Sequence, residues 1–294
     1  MNIESLRMFC RVVEEGSVTK AAKLGFVSQP AVTRQIRNLE NSYGVALFER
    51  EDGKLKKTEA GQILYSYAKE ILCLYKASFE SIQEHQGMVQ QTLHIGASPT
   101  IGEYLLPSLI GQFKRSHSLG KFTISIGNTP RILEELEENK IDIALVESAF
   151  QHQNFQKKEF ANDRLIIVAA FNHPWSEDEE IDLFQLAEEK MLWRESESGT
   201  RLLVESALEQ YGVLEQMEDT MELGSVQAIK SAVEANLGIS ILPELTVQKE
   251  LTYKTLKELH VKNFELTRDF YVVQKKRRFK KDIQKYFEKF LLME

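Results

Sequence analysis

Residues 19–40 read TKAAKLGFVSQPAVTRQIRNLE, and they contain two apolar-spaced runs that are separated by a glycine. Gly25 suits the C-terminal end of a short first helix. Ser28 is a good N-cap for a second helix, and Pro30 falls in the first turn of that helix, where a missing N–H costs little. The stretch therefore predicts two helices joined by a tight turn, which is a helix-turn-helix.

The second of these helices has an apolar side, because Val32, Ile36 and Leu39 recur at helical spacing. The residues left on the outward side are mostly polar or basic. Gln can contact adenine and Arg can contact guanine through paired hydrogen bonds, and such a helix enters the major groove with its N-terminal residues leading. The outward set therefore predicts contacts with double-stranded DNA. Its members are Gln29, Pro30, Thr33, Arg34 and Arg37, and the N-cap Ser28 is counted with them.

The flanking sequence extends this predicted module. Residues 3–14 have the periodicity of a further helix, and Asp52-Gly53 is typical of a hairpin turn between short strands. The predicted hairpin is a small basic wing that would contact flanking phosphates or the adjacent minor groove. Its candidate contact residues are Arg50, Lys54 and Lys56.

The charge distribution agrees with a DNA-binding head on an acidic body. The 294-residue chain has a net charge of −7. Residues 17–57 hold eight Lys and Arg against four Asp and Glu, so their net charge is +4 and that of the remainder is −11. Such asymmetry favours a small polyanion-binding module attached to an acidic domain.

Residues 59–88 predict one long helix, since glycine occurs in them only at positions 61 and 87 and proline does not occur. Apolar residues step by four and three along it, as in a coiled-coil seam. We expect this seam to pair with a second copy of the chain. The seam residues are Ala60, Leu64, Tyr67, Ile71 and Leu74.

From residue 92 onward, apolar runs alternate with helical stretches. This alternation predicts α/β units with mostly parallel sheets, arranged as two subdomains with a cleft between them. The predicted strands lie at 93–96, 122–127, 141–147, 164–170, 191–193, 238–243 and 270–274, and the predicted helices at 102–117, 130–139, 201–211 and 225–236.

Small and polar residues follow several of these strands and precede helices. Ligands of open α/β sheets bind at such strand ends, and the N–H groups of a helix N-terminus suit a carboxylate, phosphate or sulfate. The alternative interpretation is that these residues only cap helices, and Arg194 could equally pair with Glu195 or Glu197. The candidate effector-binding residues are Ser98, Pro99, Thr100, Asn128, Thr129, Glu147, Arg194, Ser198, Thr200 and Ser225.

Other function classes find little support in the sequence. Cys10 and Cys73 are the only cysteines, and neither forms part of a metal-ligand spacing, so we expect no metal and no cofactor. The N-terminus lacks the apolar segment of a signal peptide, and no apolar run is long enough for a membrane span. We therefore expect a cytoplasmic protein without a membrane partner. The motifs of common enzyme classes do not occur, so we expect no catalytic residues.

The sequence resembles the LysR-type transcriptional regulators over essentially its whole length. The N-terminal match is LRMFCRVVEEGSVTKAAKLGFVSQPAVTRQIRNLENSYGVALFER with the TEAG that follows it. The phrases LHIGASPTIGEYLLP, IDIALVE, ESGTR and ELGSVQAIKSAVEANLGISILP also fit the family pattern. Ser17 and Ala31 join the residues at the DNA through this resemblance.

The resemblance implies an α+β multidomain chain: a winged helix-turn-helix at 1–58, a linker helix at 59–89, and a periplasmic-binding-protein-like effector domain at 90–294. Subdomain I would span about 90–161 and 268–294, and subdomain II about 162–267. The implied function is transcription regulation by a homodimer or homotetramer on a pseudo-palindromic operator, modulated by a small anionic effector, with RNA polymerase as a candidate partner. The alternative is a cleft enzyme or solute-binding protein with a fused DNA-binding head.

Overall fold

The chain divides into two compact units, residues 1–91 and residues 92–294. The computed structural model describes residues 2–51, 54–85, 91–117, 120–147, 153–176, 180–276 and 280–292. Within these ranges, no helix is both long and apolar enough to cross a membrane.

The first unit begins with the predicted three helices, α1 (Ile3–Glu15), α2 (Val18–Leu24) and α3 (Gln29–Tyr43). Each helix starts at a polar N-cap, because the side chains of Asn2, Ser17 and Ser28 accept hydrogen bonds from backbone N–H groups in the first turns. The helices share one apolar core, and the predicted stripe of α3 is buried in it. The helix-turn-helix prediction is confirmed.

The predicted wing follows as strands β1 (Phe48–Glu51) and β2 (Lys54–Lys57), which pair in antiparallel fashion. Its predicted turn at Asp52-Gly53 lies outside the described residues. A hydrogen bond joins the two ends of the wing, because the backbone N–H of Thr58, which follows β2, donates to the carbonyl of Leu47, which precedes β1. Gly61 packs so closely here that a Cβ would lie 2.2 Å from the Leu47 carbonyl oxygen, so no side chain fits at this position.

The long helix α4 (Glu59–His85) has 27 residues, which corresponds to about 40 Å. The prediction that its seam faces a second copy is wrong for part of the seam. Leu64 is buried and Ala60 and Ile71 are half-buried against the first unit's own core, whereas Tyr67 and Leu74 are exposed. The physical reason is that α1 also has apolar residues to cover, and the four-three spacing does not tell which partner covers a seam.

The second unit contains both strands and helices. Its elements are β3 (Thr92–Ala97), a π-helical turn (Ile101–Leu105), α5 (Leu106–Ser116), β4 (Lys121–Ile126), α6 (Thr129–Glu137), β5 (Ile143–Glu147), β6 (Phe155–Ala170), β7 (Glu180–Ile181), a 3-10 helix (Leu183–Glu188), β8 (Met191–Arg194), α7 (Gly199–Gln210), a 3-10 turn (Leu214–Gln216), β9 (Thr220–Leu223), α8 (Val226–Glu234), β10 (Ser240–Pro243), α9 (Glu244–Thr252), β11 (Leu256–Val261), β12 (Leu266–Lys275) and α10 (Asp282–Leu291).

The prediction of mostly parallel sheets is only partly correct. The main sheet has the order β4-β3-β5-β12-β6-β11-β7, with β10 also paired to β6, and a two-stranded sheet joins β8 and β9. Strand β3 is parallel to β4 and β5, and β8 to β9. Strand β6 is antiparallel to β10, β11 and β12, and β12 is antiparallel to β5.

Strands β6 and β12 connect two apolar cores. The first core contains Leu93, Phe113 and Phe270, and the second contains Leu165 and Trp193. Along β12, Phe270 belongs to the first core, while Leu266 packs against the second. The segment between them therefore lies at the junction of the two cores, which we call the crossover.

Cys10 offers a test of the first unit's packing. It is 4% exposed, and burial together with the Glu14 carboxylate raises the pKa of its thiol to about 12. We expect Cys10 to react with iodoacetamide roughly 1,000-fold more slowly in the native protein than in urea, since only the thiolate is nucleophilic. Peptide mass spectrometry after timed labelling measures this ratio, and native labelling of Cys10 at the denatured rate contradicts the packing.

Candidate DNA interface and effector site

The outward face of α3 presents most of the predicted DNA contacts on one surface. Five side chains, those of Gln29, Pro30, Thr33, Arg34 and Arg37, line a concavity of about 520 Å³. Ala31 is half-buried, and the Thr33 hydroxyl donates to the Gln29 carbonyl at 3.1 Å. This surface combines amide and guanidinium donors at the start of one helix, as base-edge reading requires.

Two of these donors carry charge that no neighbouring acid neutralises. In the part of the chain that the structure describes, neither Arg34 nor Arg37 forms an ion pair. Glu40, which lies one helical turn beyond Arg37, accepts a hydrogen bond from the backbone N–H of Leu47 at 2.9 Å. Both guanidinium groups are therefore available to an anion.

The remaining predicted DNA contacts divide into two kinds. Ser17 and Ser28 act as helix N-caps, through hydrogen bonds of 3.3 Å from Lys20 N–H and 3.4 Å from Ala31 N–H, so capping accounts for both. The wing residues Arg50, Lys54 and Lys56 are exposed. Lys56 is paired with Glu51 at 2.5 Å across the hairpin.

In the second unit, Arg268 lies at the centre of the predicted effector residues, although sequence analysis missed it. It sits on β12 opposite Asp163 of β6, at the crossover, and is 6% exposed. Its guanidinium donates to Thr100 Oγ1 at 3.1 Å and to Thr200 Oγ1 at 2.9 Å. One side chain thus joins two of the predicted effector residues, which are 100 positions apart in the chain.

Acidic groups hold this guanidinium in place. Nε and Nη2 of Arg268 donate to Asp163 Oδ2 at 3.2 and 2.9 Å, and Nη1 lies 3.4 Å from Glu147 Oε1. Burial raises the pKa of the Asp163 carboxyl, although Arg268 and the Leu245 backbone N–H act to lower it. The predicted residue Glu147 therefore belongs to this cluster.

A buried serine lies two positions before each of these two threonines, Thr100 and Thr200. Ser98 is 1% exposed, and its Oγ has no hydrogen-bond partner among the described residues. Ser198 is also buried, and its side chain does not cap α7. A buried polar group without a partner costs about 1–3 kcal/mol, so this arrangement calls for a polar ligand or water.

Other predicted effector residues have structural contacts of their own. Asn128 caps α6 through a 3.2 Å hydrogen bond from Arg131 N–H, and the exposed Ser225 caps α8. Arg194 makes two hydrogen bonds of 2.7 Å to Glu195. Partial burial acts to raise the pKa of Glu195, but these hydrogen bonds lower it below its usual value. Pro99 and Thr129 are half-buried, and neither is among the hydrogen-bond or ion-pair partners of Arg268 in the described residues.

The candidate sites contain no cluster typical of a bound metal. Among the residues that the structure describes, no group of three or more His, Cys, Asp or Glu side chains could hold a metal ion.

Comparison with known proteins identifies the family. Residues 3–62 match the family model described as bacterial regulatory helix-turn-helix protein, lysR family, and residues 86–291 match that of the LysR substrate binding domain. The chain belongs to the LysR family. This LysR-type chain is a DNA-binding transcription regulator with an effector-binding domain, and the comparisons favour that function over an enzyme or solute-binding protein with a fused head.

Individual relatives agree with this assignment. The LysR-type chain is 34% identical to the HTH-type transcriptional regulator CysL of Bacillus subtilis (strain 168), over 91% of this chain and 89% of CysL. A full-length OxyR variant of Pseudomonas aeruginosa has the same fold, with a TM-score of 0.73, 22% identity and coverage of 99% and 94%. The Synechocystis PCC6803 CcmR regulatory domain, solved in complex with 2-PG, aligns with a TM-score of 0.62, 26% identity and coverage of 69% and 97%.

Proposed function

We propose that this regulator reads double-stranded DNA with the exposed face of α3 and contacts flanking phosphates with the wing. The observation that carries the proposal is the single concavity that Gln29, Thr33, Arg34 and Arg37 line with Pro30. Gln29 and Arg34 are the proposed base readers, since both can form paired hydrogen bonds with a base edge. Arg50, Lys54 and Lys56 would bind phosphates, with Lys56 leaving Glu51 to do so.

Arg34→Ala tests this proposal. An operator is first selected from random duplexes with the full-length protein. The variant should bind it roughly 10- to 100-fold more weakly, because one paired Arg–guanine contact is worth about 1–3 kcal/mol. Fluorescence anisotropy at fixed salt measures the affinity, since phosphate contacts make it salt-dependent.

Arg115→Ala is the matched control, because Arg115 is an exposed arginine of α5 in the other unit and has no ion pair in the described ranges. Its affinity for the operator should equal that of the wild type. Equal affinities for Arg34→Ala and the wild type would remove α3 as the reading element.

We also propose that α4 joins two chains, so that two heads read a pseudo-palindromic site. Two exposed apolar stripes support this pairing. One stripe follows a line along α4 and contains Ile63, Tyr67 and Leu74. The other stripe contains Tyr75, Phe79 and Ile82, and it continues the side of α4 that packs against α1 beyond the end of that contact. A second α4 would cover both stripes, and further association of dimers gives a homotetramer.

The effector in this proposal is a small anion with carboxylate, phosphate or sulfate oxygens. Ser98 and Thr100 precede the helix that begins at Ile101, and Ser198 and Thr200 lie at the start of α7, so backbone N–H groups and hydroxyls are available at both places. That the related CcmR regulatory domain was solved with 2-PG supports a small ligand. Four other residues remain predicted effector contacts: Asn128, Thr129, Arg194 and Ser225.

Effector binding at the crossover would shift the two subdomains and thereby the spacing of the two heads, with consequences for contact with RNA polymerase. The division into 1–58, 59–89 and 90–294 remains part of this proposal, and the two compact units support it. Reading DNA places the regulator in the cytoplasm of a bacterial cell.

A further inference from the structure

Arg268 fixes the direction of the hydrogen bonds that it makes with Thr100 and Thr200. A guanidinium has only donors, so Thr100 and Thr200 must both act as acceptors toward Arg268. A threonine hydroxyl has one hydrogen, and in each case this hydrogen points away from Arg268. Within the described part of the chain, neither hydroxyl donates a hydrogen bond to another residue.

These two unused donors contact the same guanidinium group and are shielded from solvent. Thr100 is 2% exposed and Thr200 is 7% exposed. Their hydroxyls contact Nη2 and Nη1, the adjacent prongs of one planar fork. Thr100 precedes the helix of the first core and Thr200 lies in the first turn of α7, so the pair spans the two cores.

Arg268 itself has little capacity left for a ligand. Its five N–H groups are used in two hydrogen bonds to Asp163, one hydrogen bond to each threonine and the ion pair with Glu147. A ligand that bound the guanidinium directly would have to displace one of these groups. The threonine hydrogens need no such displacement.

We propose that Arg268 is a positioning residue: it orients the hydroxyls of Thr100 and Thr200 as a pair of donors for one oxyanion group of the effector. The oxyanion is a carboxylate, phosphate or sulfate that accepts from both threonines and so joins the two cores. The partnerless, buried Ser98 hydroxyl supplies a third donor beside Thr100. The inference rests on the proposed effector site and adds Arg268 as the residue that makes the two threonine hydroxyls donors toward the effector.

The test uses the full-length protein with sulfate, phosphate and acetate as probes, against chloride at equal ionic strength. Thermal unfolding followed by tryptophan fluorescence reports the second unit, because both tryptophans lie in it. At least one oxyanion should raise the unfolding midpoint of the wild type beyond the chloride effect, and the probe that does so names the preferred group. The double variant Thr100→Val/Thr200→Val should bind this probe about tenfold or more weakly.

The loss in the valine variant, which keeps Arg268, separates positioning from direct binding by the guanidinium, and two further variants test the hydroxyls and the geometry of the guanidinium. Thr100→Ser/Thr200→Ser keeps both hydroxyls and should retain the oxyanion response. Arg268→Lys keeps the positive charge but loses the fork, and it should lose the response as the valine variant does. A full response in the valine variant or in Arg268→Lys, or no oxyanion-specific response in the wild type, overturns the inference. Because operator binding is measured separately, DNA reading by α3 can stand while this inference fails.

Discussion

Arg268→Met should lower the free energy of unfolding of the second unit by about 3–5 kcal/mol, the usual effect of removing one partner from a buried ion pair. The side chains of Arg268 and Asp163 are 4% and 1% exposed, so solvent cannot replace the lost partner. Urea unfolding followed by the fluorescence of Trp175 and Trp193 measures this loss, since both residues belong to the second unit.

The destabilisation by Arg268→Met should depend on pH. Burial raises the folded-state pKa of Asp163 above its ordinary value of 3.8, so its neutral form favours the fold. That contribution is complete below pH 3.8 and is lost as the pH rises through the folded value. Without Arg268 the pKa rises further, so the variant should lose more stability at about pH 7 than at about pH 5.

Two control variants are compared with Arg268→Met. Arg164→Ala removes the neighbouring arginine of β6, which pairs with Glu244 and Glu258 but is 45% exposed, and it should cost about 1 kcal/mol or less. Arg268→Met/Asp163→Leu replaces the pair by apolar groups and should recover most of the loss. A single-variant loss as small as that of Arg164→Ala would show that the pair is not shielded.

The first unit could be predicted almost completely from sequence because its signals are local. Ser28 caps the helix that it was expected to start, and Val32, Ile36 and Leu39 fill the core. Each of these features depends on residues within one or two turns of one another. The basic face of α3 follows directly from the buried one.

The crossover could not be predicted in the same way because its contacts are distant in sequence. Apolar runs located β6 and β12 only from residues 164 and 270 onward, whereas the strands begin at Phe155 and Leu266. The polar beginning of β6 pairs with the apolar run of β12, and the polar beginning of β12 pairs with residues 162–165 of β6. Backbone pairing with the other strand therefore holds both segments although they lack an apolar pattern of their own. Asp163 and Arg268 lie there, and a charged residue beside a strongly apolar run in each strand is the only signal that could have revealed them.

Strands with little apolar character were missed for a related reason. The residues of β9 (Thr220–Leu223) are exposed or half-buried, and β7 has only two residues. Whether two paired strands are parallel or antiparallel depends on the segments that connect the strands along the chain. Strands β3, β4 and β5 alternate with helices and are parallel as predicted, whereas β12 follows β11 without a helix and is antiparallel to β5 and β6.

Ile63→Glu/Leu74→Glu should convert the protein to monomers and weaken operator binding by roughly 10²- to 10⁴-fold. The side chains of Ile63 and Leu74 are 56% and 46% exposed in the single chain, and the stripe that they share with Tyr67 would be covered only by another α4. When the two heads are joined, the second binds at a high effective concentration, and this gain disappears when they separate. The substitutions leave the core facing α1 intact, since Leu64 and Ala68 cover it.

Analytical ultracentrifugation over a concentration series measures the association, and anisotropy on the selected operator measures the affinity. Gln62→Glu/Gln83→Glu adds the same charge at exposed positions of α4 outside both stripes, and should remain associated with unchanged affinity. An associated Ile63→Glu/Leu74→Glu variant would mean that other surfaces join the chains. Loss of DNA affinity without dissociation would instead place this stripe near the DNA, because two carboxylates close to phosphates are repelled whatever the oligomeric state.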